Sequence, residues 1–518
     1  MRIFQTLTVI GLISALAGCA IEPKVMTHPD KEALRSEDVF RAFKDVIPAD
    51  AHMTMTEAVA RGLKYNMEFR SKQMEQAIAM GTHELSKYDM LPKVLANAGY
   101  NYRNKDFITQ GVGAYSGHPA VGEPFVSSAR EYSSYGLNLN WSLLDFGVGY
   151  YNARQNADRI LVASERRRRT MHVLIQDIQT AYLRAAAAQR LKSDLIKTIS
   201  EANEALENSR KIEAQGLKSP FEALRFQKSL LDNVKILETI SQELATAKVE
   251  LNQMINLPAQ TDYMLDNPEE MTPPSTLAHV DALELELRAM MSNADLNESV
   301  YNARIAVEET RKSMLKLIPG LNFNVGPQRT DNSYWLNKSW VEGSANISFN
   351  LWSVLMAPDA IRLAQQTSDL ANHKRMMVRM AVISQVHLAR MGLESSGQLY
   401  VRSVDIDTVD GKLAKMTAQR EKEGSASQAE RVAADASAII SKLRKYQALS
   451  QLFAASGKMR ATTGLEPEVS ALHETPLEHV IEQVRGNLEE WNRGVLPKLA
   501  RLDAVPAAAN QPPVSAKD

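Results

Sequence analysis

Leu139-Asn140-Trp141-Ser142-Leu143-Leu144-Asp145-Phe146-Gly147 is the stretch on which the reading of this chain turns. Leading into it, Tyr135, Leu137, Leu139, Trp141 and Leu143 are apolar, and Gly136, Asn138, Asn140 and Ser142 between them are small or polar. That period of two belongs to a strand with one apolar face. Farther on, from Leu174, the apolar positions Ile178, Ala181, Ala185, Ala188, Leu191, Leu195, Ile199, Ala202 and Leu206 recur in steps of three and four, close to the 3.5-residue spacing of a coiled coil. Proline is absent between Pro124 and Pro220, Pro220 and Pro258, and Pro358 and Pro467. Since proline costs about 3 kcal/mol inside a helix, these are the places where long helices can run. A helix over 148–215 would be roughly 100 Å long, far beyond a globular helix.

The same order recurs. Asn138-Leu139-Asn140-Trp141 aligns with Asn346-Ile347-Ser348-Phe349, Gly216, Ser219 and Glu222 with Gly424, Ser427 and Glu430, and Asn256-Leu257 with Gly464-Leu465, all at an offset of 208. Leu91-Pro92 aligns with Ile318-Pro319 at an offset of 227, so the first half needs a longer connection, assigned to the Gly-rich stretch 107–128. The chain therefore reads as an internal duplication, each half running helix, extended hairpin, very long helix, glycine turn, helix. The expected boundaries are 56–257 for the first repeat (hairpin 92–143, long helix 148–215, return helix 219–256), a linker over 258–275, and 276–465 for the second (hairpin 319–352, long helix 358–423, return helix 426–463). An N-terminal segment covers 19–55 and a C-terminal extension 466–518.

In the second half Val341, Ala345, Ile347, Phe349 and Leu351 alternate with Glu342, Ser344, Asn346, Ser348 and Asn350. Each of these segments has an alternating partner ahead of it, 94–103 and 321–326. Four strands of about 9 to 11 residues have the length of tilted outer-membrane strands. A soluble half-buried sheet would alternate in the same way. Two features favour a membrane barrel: the intervening residues are mostly Asn, Ser and Gly, as a wet lumen requires, and Trp141, Trp335, Trp340 and Trp352 lie in or beside the strands as an aromatic girdle would. Four strands cannot close a barrel, which takes at least eight. Open edges in hydrocarbon would leave backbone groups unpaired, so the membrane reading requires several copies.

The N-terminus agrees with export. Met1-Arg2 is followed by an apolar run from Leu7 to Ala17, too short to span a bilayer, ending in Leu16-Ala17-Gly18-Cys19. This resembles the bacterial lipoprotein box, which implies removal of residues 1–18, a diacylglycerol thioether on Cys19 and an acylated new N-terminus. Ala20 stands where an Asp would signal inner-membrane retention, so the expected location is the outer membrane, with most of the mass in the periplasm. Sixty Lys plus Arg against 61 Asp plus Glu give a net charge of −1. No basic field invites nucleic acid, and one cysteine with ten scattered histidines gives no metal-site spacing.

Taken with the lipoprotein box, the duplicated strand–helix units and the paired glycine turns, the sequence resembles the TolC-like outer-membrane factor family. The motifs carrying the resemblance are the strand-end signature at 139–147 and the pattern Gly-x-x-Ser-x-x-acid-x-apolar. This pattern occurs as Gly216, Ser219, Glu222, Leu224 and again as Gly424, Ser427, Glu430, Val432. The resemblance runs from about Thr56 to Gly464. It implies a mainly α protein with a small transmembrane β part: a homotrimer whose twelve strands form one barrel, continued by a twelve-helix periplasmic tunnel. Such a channel is the exit duct of a tripartite efflux pump or type I secretion system, docking on a periplasmic adaptor and, through it, an inner-membrane transporter. The second half departs from the pattern, because Asn350-Leu351-Trp352-Ser353-Val354 lacks the Asp-Gly signature and Asp405 to Gly411 is unusually polar for a long helix. Pro358 suits a first helical turn and is expected to mark entry to the second long helix.

Within that frame Glu430 and Glu222, six residues past the turn glycines, are the candidate pore-narrowing carboxylates. The plain alternative is a helix-start carboxylate favoured by the macrodipole. Gly216, Leu217, Ser219, Gly424, Ser425 and Ser427 form the candidate adaptor-contact tips. Arg166 to Arg169 is expected to pair with neighbouring helices. Asp145-Phe146-Gly147 spells a kinase signature without its companion loops, Gly111-Val112-Gly113 lacks a third glycine, and no P-loop, His-Glu-x-x-His or Gly-x-Ser-x-Gly occurs. No enzyme or cofactor is indicated. The competing reading is a lipid-anchored periplasmic coiled-coil scaffold or adaptor without a pore.

Overall fold

Elements change type where the hydrophobic period changes. The computed structural model describes residues 24–112, 114–119, 122–215, 219–274, 276–467, 472, 474–493 and 495–496. The described residues start with α1 (His28–Phe43) and β1 (His52–Met53). The first half then runs α2 (Met55–Tyr65), α3 (Met67–Ser86), β2 (Lys93–Tyr102), β3 (Phe107–Thr109), β4 (Phe125–Ser128), β5 (Glu131–Ser142), α4 (Leu143–Ala214) and α5 (Pro220–Met254). After β6 (Met264–Leu265) the second half repeats the plan with α6 (Ala282–Ser292), α7 (Ala294–Leu315), β7 (Gly320–Thr330), β8 (Ser339–Ser348), α8 (Trp352–Lys422) and α9 (Gln428–Thr463), and α10 (Leu477–Asn492) follows.

Both long helices start earlier than the sequence suggests. Ser142 caps α4, its hydroxyl accepting from the Asp145 N–H at 3.1 Å, so the helix begins at Leu143 rather than 148. Gly147 and Gly149 look like breakers but serve close approach. A Cβ on Gly147 would sit 2.4 Å from a Leu315 methyl, and one on Gly149 3.1 Å from the Asp89 backbone. In the second half the ladder ends at the pair Gly320–Ser348, which leaves Phe349 and Leu351 outside the strand. The Asn350 side chain accepts from the Trp352 N–H at 3.1 Å and α8 starts there. Pro358 is therefore inside α8, in its second turn, and does not mark the entry. The 107–128 connection also carries structure of its own, the small antiparallel pair β3–β4.

The half-helices that lead into the hairpins are broken at matching asparagines. Asn66 ends α2 and caps α3, its Oδ1 accepting from Phe69 N–H at 3.0 Å and its Nδ2 donating to the Met254 carbonyl at 2.9 Å. Asn293 does the same between α6 and α7, bonding Leu296 N–H at 3.0 Å and the Thr462 carbonyl at 2.9 Å. The asparagines are 227 residues apart and their carbonyl partners 208, the two offsets found in the sequence. Just beyond each carbonyl, Asn256 (φ 55°) and Gly464 (φ 71°) share the left-handed conformation that ends a helix.

A large core surrounds the middle of α4. Ile178, Tyr182, Leu251, Val386, Leu452 and Val480 belong to it, and it includes the parallel pair β1–β6. Tyr182 pins this pair, donating to the Met53 carbonyl at 2.8 Å and accepting from Asp266 N–H at 3.0 Å. Below this belt α4 packs on α5 and α9 through Leu191, Leu195, Leu237, Ile439 and Leu443, each fully buried aliphatic contributing about 1.5–3 kcal/mol. No described helix is long and apolar enough to cross a membrane.

Candidate functional site

Four strands form one antiparallel sheet in the order β2-β5-β7-β8, and among the described residues one edge of β2 and one of β8 are left unpaired. Register sorts the side chains into two faces. One carries Val94, Leu139 and Val325 in line, then Trp141 opposite Phe323. The other carries Asn140 opposite Asn324 and Ser344, and Gly136 opposite Gln328, with Gln328 donating to Asn138 at 2.6 Å. On β5 the apolar rank, Tyr135, Leu137, Leu139 and Trp141, is the exposed one. An apolar rank turned to the surroundings with an amide-lined face behind it is the reverse of a water-soluble sheet and suits a lipid-facing wall.

The aromatic side continues down the molecule. Trp141 stacks on Phe323 at 6.2 Å and meets the Phe146 edge at 6.2 Å. Phe146, Tyr150 and Arg154 then follow one another on the same face of α4. Trp352, at the start of α8, is 71% exposed at this end of the sheet, and Trp335 lies in the β7–β8 connection at the other. Trp340 differs. It pairs across the ladder with Gln328 and its indole N–H donates to Glu342 at 3.4 Å, so it stands on the polar face and is no part of an outward girdle.

Helices extend the sheet in the same lateral order. Nearest the strands the wall runs α3-α4-α7-α8, and farther down α5-α4-α9-α8. The unpaired strand β2 thus lies on the side of α3 and α5, and β8 on the side of α8. Arg166 to Arg169 ties the wall together: Arg166 and Arg169 pair with Glu298, and Arg168 with Glu165 at 2.6 Å and Glu466 at 2.8 Å.

At the far end from the sheet the two turns differ. Of the first, Gly216 and Leu217 lie outside the described residues, and Ser219 starts α5 without a side-chain cap. Glu222 is exposed there. The second turn is closed by its own bonds: Gly424 takes φ 74°, and the Gly424 and Ser425 amides donate to Glu421 and Arg420 carbonyls at 2.9 and 2.8 Å. Ser427 and Glu430 then form a capping box, with Glu430 accepting from the Ser427 amide at 2.8 Å and its own amide donating to the Ser427 hydroxyl at 3.2 Å. Those bonds hold the exposed Glu430 carboxyl below the usual carboxylate range. Cys19 and the residues before it also lie outside the described residues.

Some polar groups that fasten the far half could not be paired from sequence. Arg431 bridges Glu201 on α4 at 2.6 Å, Glu421 on α8 at 2.7 Å and Asp435 at 2.9 Å. Lys445 joins Asp407 at 2.5 Å and Glu269 at 3.1 Å, which accounts for an aspartate within the polar run of α8. In the belt the buried Arg460 guanidinium donates to Gln179 at 2.8 Å beneath the Trp491 ring, and burial pushes its pKa down to about 10. His172 beside it is pushed down to about 3 by burial and by Arg168 and Arg460. Only the Asn66/Asn293 pair had a sequence signal, the 227 offset carried further.

This architecture is that of outer-membrane channels. The OprN outer-membrane channel superposes with TM-score 0.62 at 15% identity over 79% of this chain and 89% of that one. The Campylobacter jejuni CmeC outer membrane channel gives 0.62 at 11% over 84% and 89%, and the open state of the Neisseria gonorrhoeae MtrE channel 0.57 at 16% over 78% and 88%. At those identities the likeness is one of fold. Residues 62–257 match the family described as outer membrane efflux protein. No curated protein sequence matches the chain significantly.

Proposed function

We propose that the chain is one protomer of a homotrimeric exit channel in the outer membrane, serving a tripartite efflux pump or a type I secretion system. The observation that carries this is the sheet with an apolar face outward, amides behind and two open edges, continued by a helical wall open at the same two sides. Backbone groups at such edges have no partner in hydrocarbon, and three copies of four strands give a closed barrel of twelve. The helical wall would then enclose a periplasmic passage. The tips around Gly216, Leu217, Ser219, Gly424, Ser425 and Ser427 would meet a periplasmic adaptor, and the adaptor an inner-membrane transporter that supplies the energy. Cys19 would carry the lipid anchor, to be read from the intact mass of the mature protein. Trp141 and Trp352 would sit at the lipid interfaces, whereas Trp335 packs its ring on Trp340 at 5.4 Å and would leave the girdle with it. Three copies of Glu430, with Glu222 nearby, would place negative charge at the narrow end.

The test is the mass of the detergent-solubilised protein together with its conductance in planar bilayers. Three chains and discrete channel openings are expected. A stable, non-conducting monomer would favour a lipid-anchored scaffold instead.

A further inference from the structure

Between the sheet and the belt, on the face of the wall that continues the Trp141–Phe146–Tyr150 side, α4, α7 and α8 enclose a groove of about 640 Å³. Its floor is formed by alanine and valine side chains of α4 and α7. Among the described residues its rim carries Arg154, Arg304, Arg311 and Arg375 against two carboxylates, Asp158 and Glu308. Arg154 and Arg311 both reach the same oxygen of Glu308, at 3.0 Å each, and Arg304 pairs with Asp158. Arg375, half-buried at the groove wall, has no ion pair among the described residues. Four guanidinium groups share two carboxylates, so each copy holds two uncompensated positive charges in a concave, partly apolar site. Guanidinium matches carboxylate geometry with two parallel hydrogen bonds.

Depth selects the ligand. Arg154 lies twelve residues past Ser142 on α4 and Arg375 twenty-three past Trp352 on α8, roughly 18 and 35 Å along the helices from the strand ends. The interfacial zone of a bilayer extends only about 5–8 Å beyond its hydrocarbon, so lipid headgroups do not reach this site. A periplasmic polymer does.

We infer that this groove binds a carboxylate of the peptidoglycan stem peptides, Arg375 supplying the unpaired guanidinium and the small apolar floor receiving an alanine methyl of the peptide. The inference rests on the reading of the helical wall as periplasmic.

The experiment is co-sedimentation of the full-length protein, purified in detergent, with purified peptidoglycan sacculi at 0.05 and 0.15 M salt, beside planar-bilayer conductance of the same preparation. Wild type should sediment at both salts. Arg375→Ala, which breaks no ion pair of the fold, should weaken binding about tenfold, the size of one charge-assisted contact. Arg375→Glu should weaken it further and Arg375→Lys less. Lys374→Ala should leave binding unchanged, because Lys374 lines a different groove with Arg169 and Glu298. Wild type that stays in the supernatant overturns the inference, as does equal loss in the Arg375 and Lys374 variants, which would mean diffuse charge. If Arg375→Ala loses binding to phosphatidylglycerol vesicles but not to sacculi, the groove belongs to the membrane and the inference is wrong. Conductance without sacculus binding sinks this inference alone, whereas absent conductance sinks the channel reading.

Discussion

α4 and α8 occupy equivalent places in the two halves and are 72 and 71 residues long, yet they are packed very differently. α4 buries residues along most of its length, from Gly149 to Ser209, whereas α8 buries only Ala364, Val382, Val386, Ala389, Leu393 and Ala414. The reason is position. α4 has helices on both flanks at every level, and α8 ends the row. Still, α8 is not a polar helix. Leu363, Leu370, Met377, Met380, Leu388 and Met391 are each more than half exposed in the single chain. Two helices of one duplication have diverged because one is completed within the chain and the other is suited to a surface the chain does not contain.

The comparison breaks most directly at α8. Replacing Met380 and Met391 together by Glu should abolish assembly, because each seam would acquire buried charge at a cost on the order of 3 kcal/mol or more. Mass in detergent reads this, and an intact trimer would mean that the exposed row faces water after all.

On α4 the packing should appear in acid. The buried His172 has a folded pKa of about 3, below the ordinary value near 6.5, so the unfolded chain takes up a proton that the native state refuses. Its contribution is fully present above about pH 6.5 and is lost as pH falls from there toward 3, by up to about 1.4 kcal/mol per unit. Melting temperatures between pH 7 and 4.5 should fall less steeply in His172→Phe than in wild type. Identical slopes would place His172 in contact with solvent.

Where the halves are alike, the effects should be alike. Asn66→Ala and Asn293→Ala each remove a helix cap and a bond to the return helix, so each should cost about 1–2 kcal/mol. A melting difference between the two larger than their common loss would show that the duplication has diverged here too.

The smallest effect is expected at the tips. Glu430→Gln keeps its shape and loses its charge, so the trimer should survive while cation preference in bilayers declines, most visibly at low salt, where the Debye length is about 30 Å at 0.01 M. Unchanged selectivity would reduce Glu430 to the capping role it has with Ser427.

Periodicity made the type of each long element legible, because period two and period 3.5 are imposed by the backbone itself. The starts of α4 and α8 were not legible. Gly147 and Gly149 break helices by propensity, and only the tertiary fold reveals the Leu315 and Asp89 contacts that require them. Trp340 was assigned by composition to a girdle, although the period-two pattern of β8 already sets it on the face of Glu342 and Ser344, and the pairing with Gln328 agrees. Of the candidate sites, Ser427 and Glu430 were legible as a helix start because the capping box is local. Arg431 was not, since two of its partners lie on other helices.

The two open flanks of the chain are unlike each other, β2 with α3 and α5 on one and β8 with α8 on the other. A protomer of this kind joins others head to tail, in one rotational sense. In a ring of three, the second copy to arrive closes one seam and the third closes two at once. A pair still leaves two flanks open, and the last addition closes two seams where the first closed one, so the final step gains most. Assembly should then go nearly all-or-none, with the half-built pore scarcely populated at any concentration.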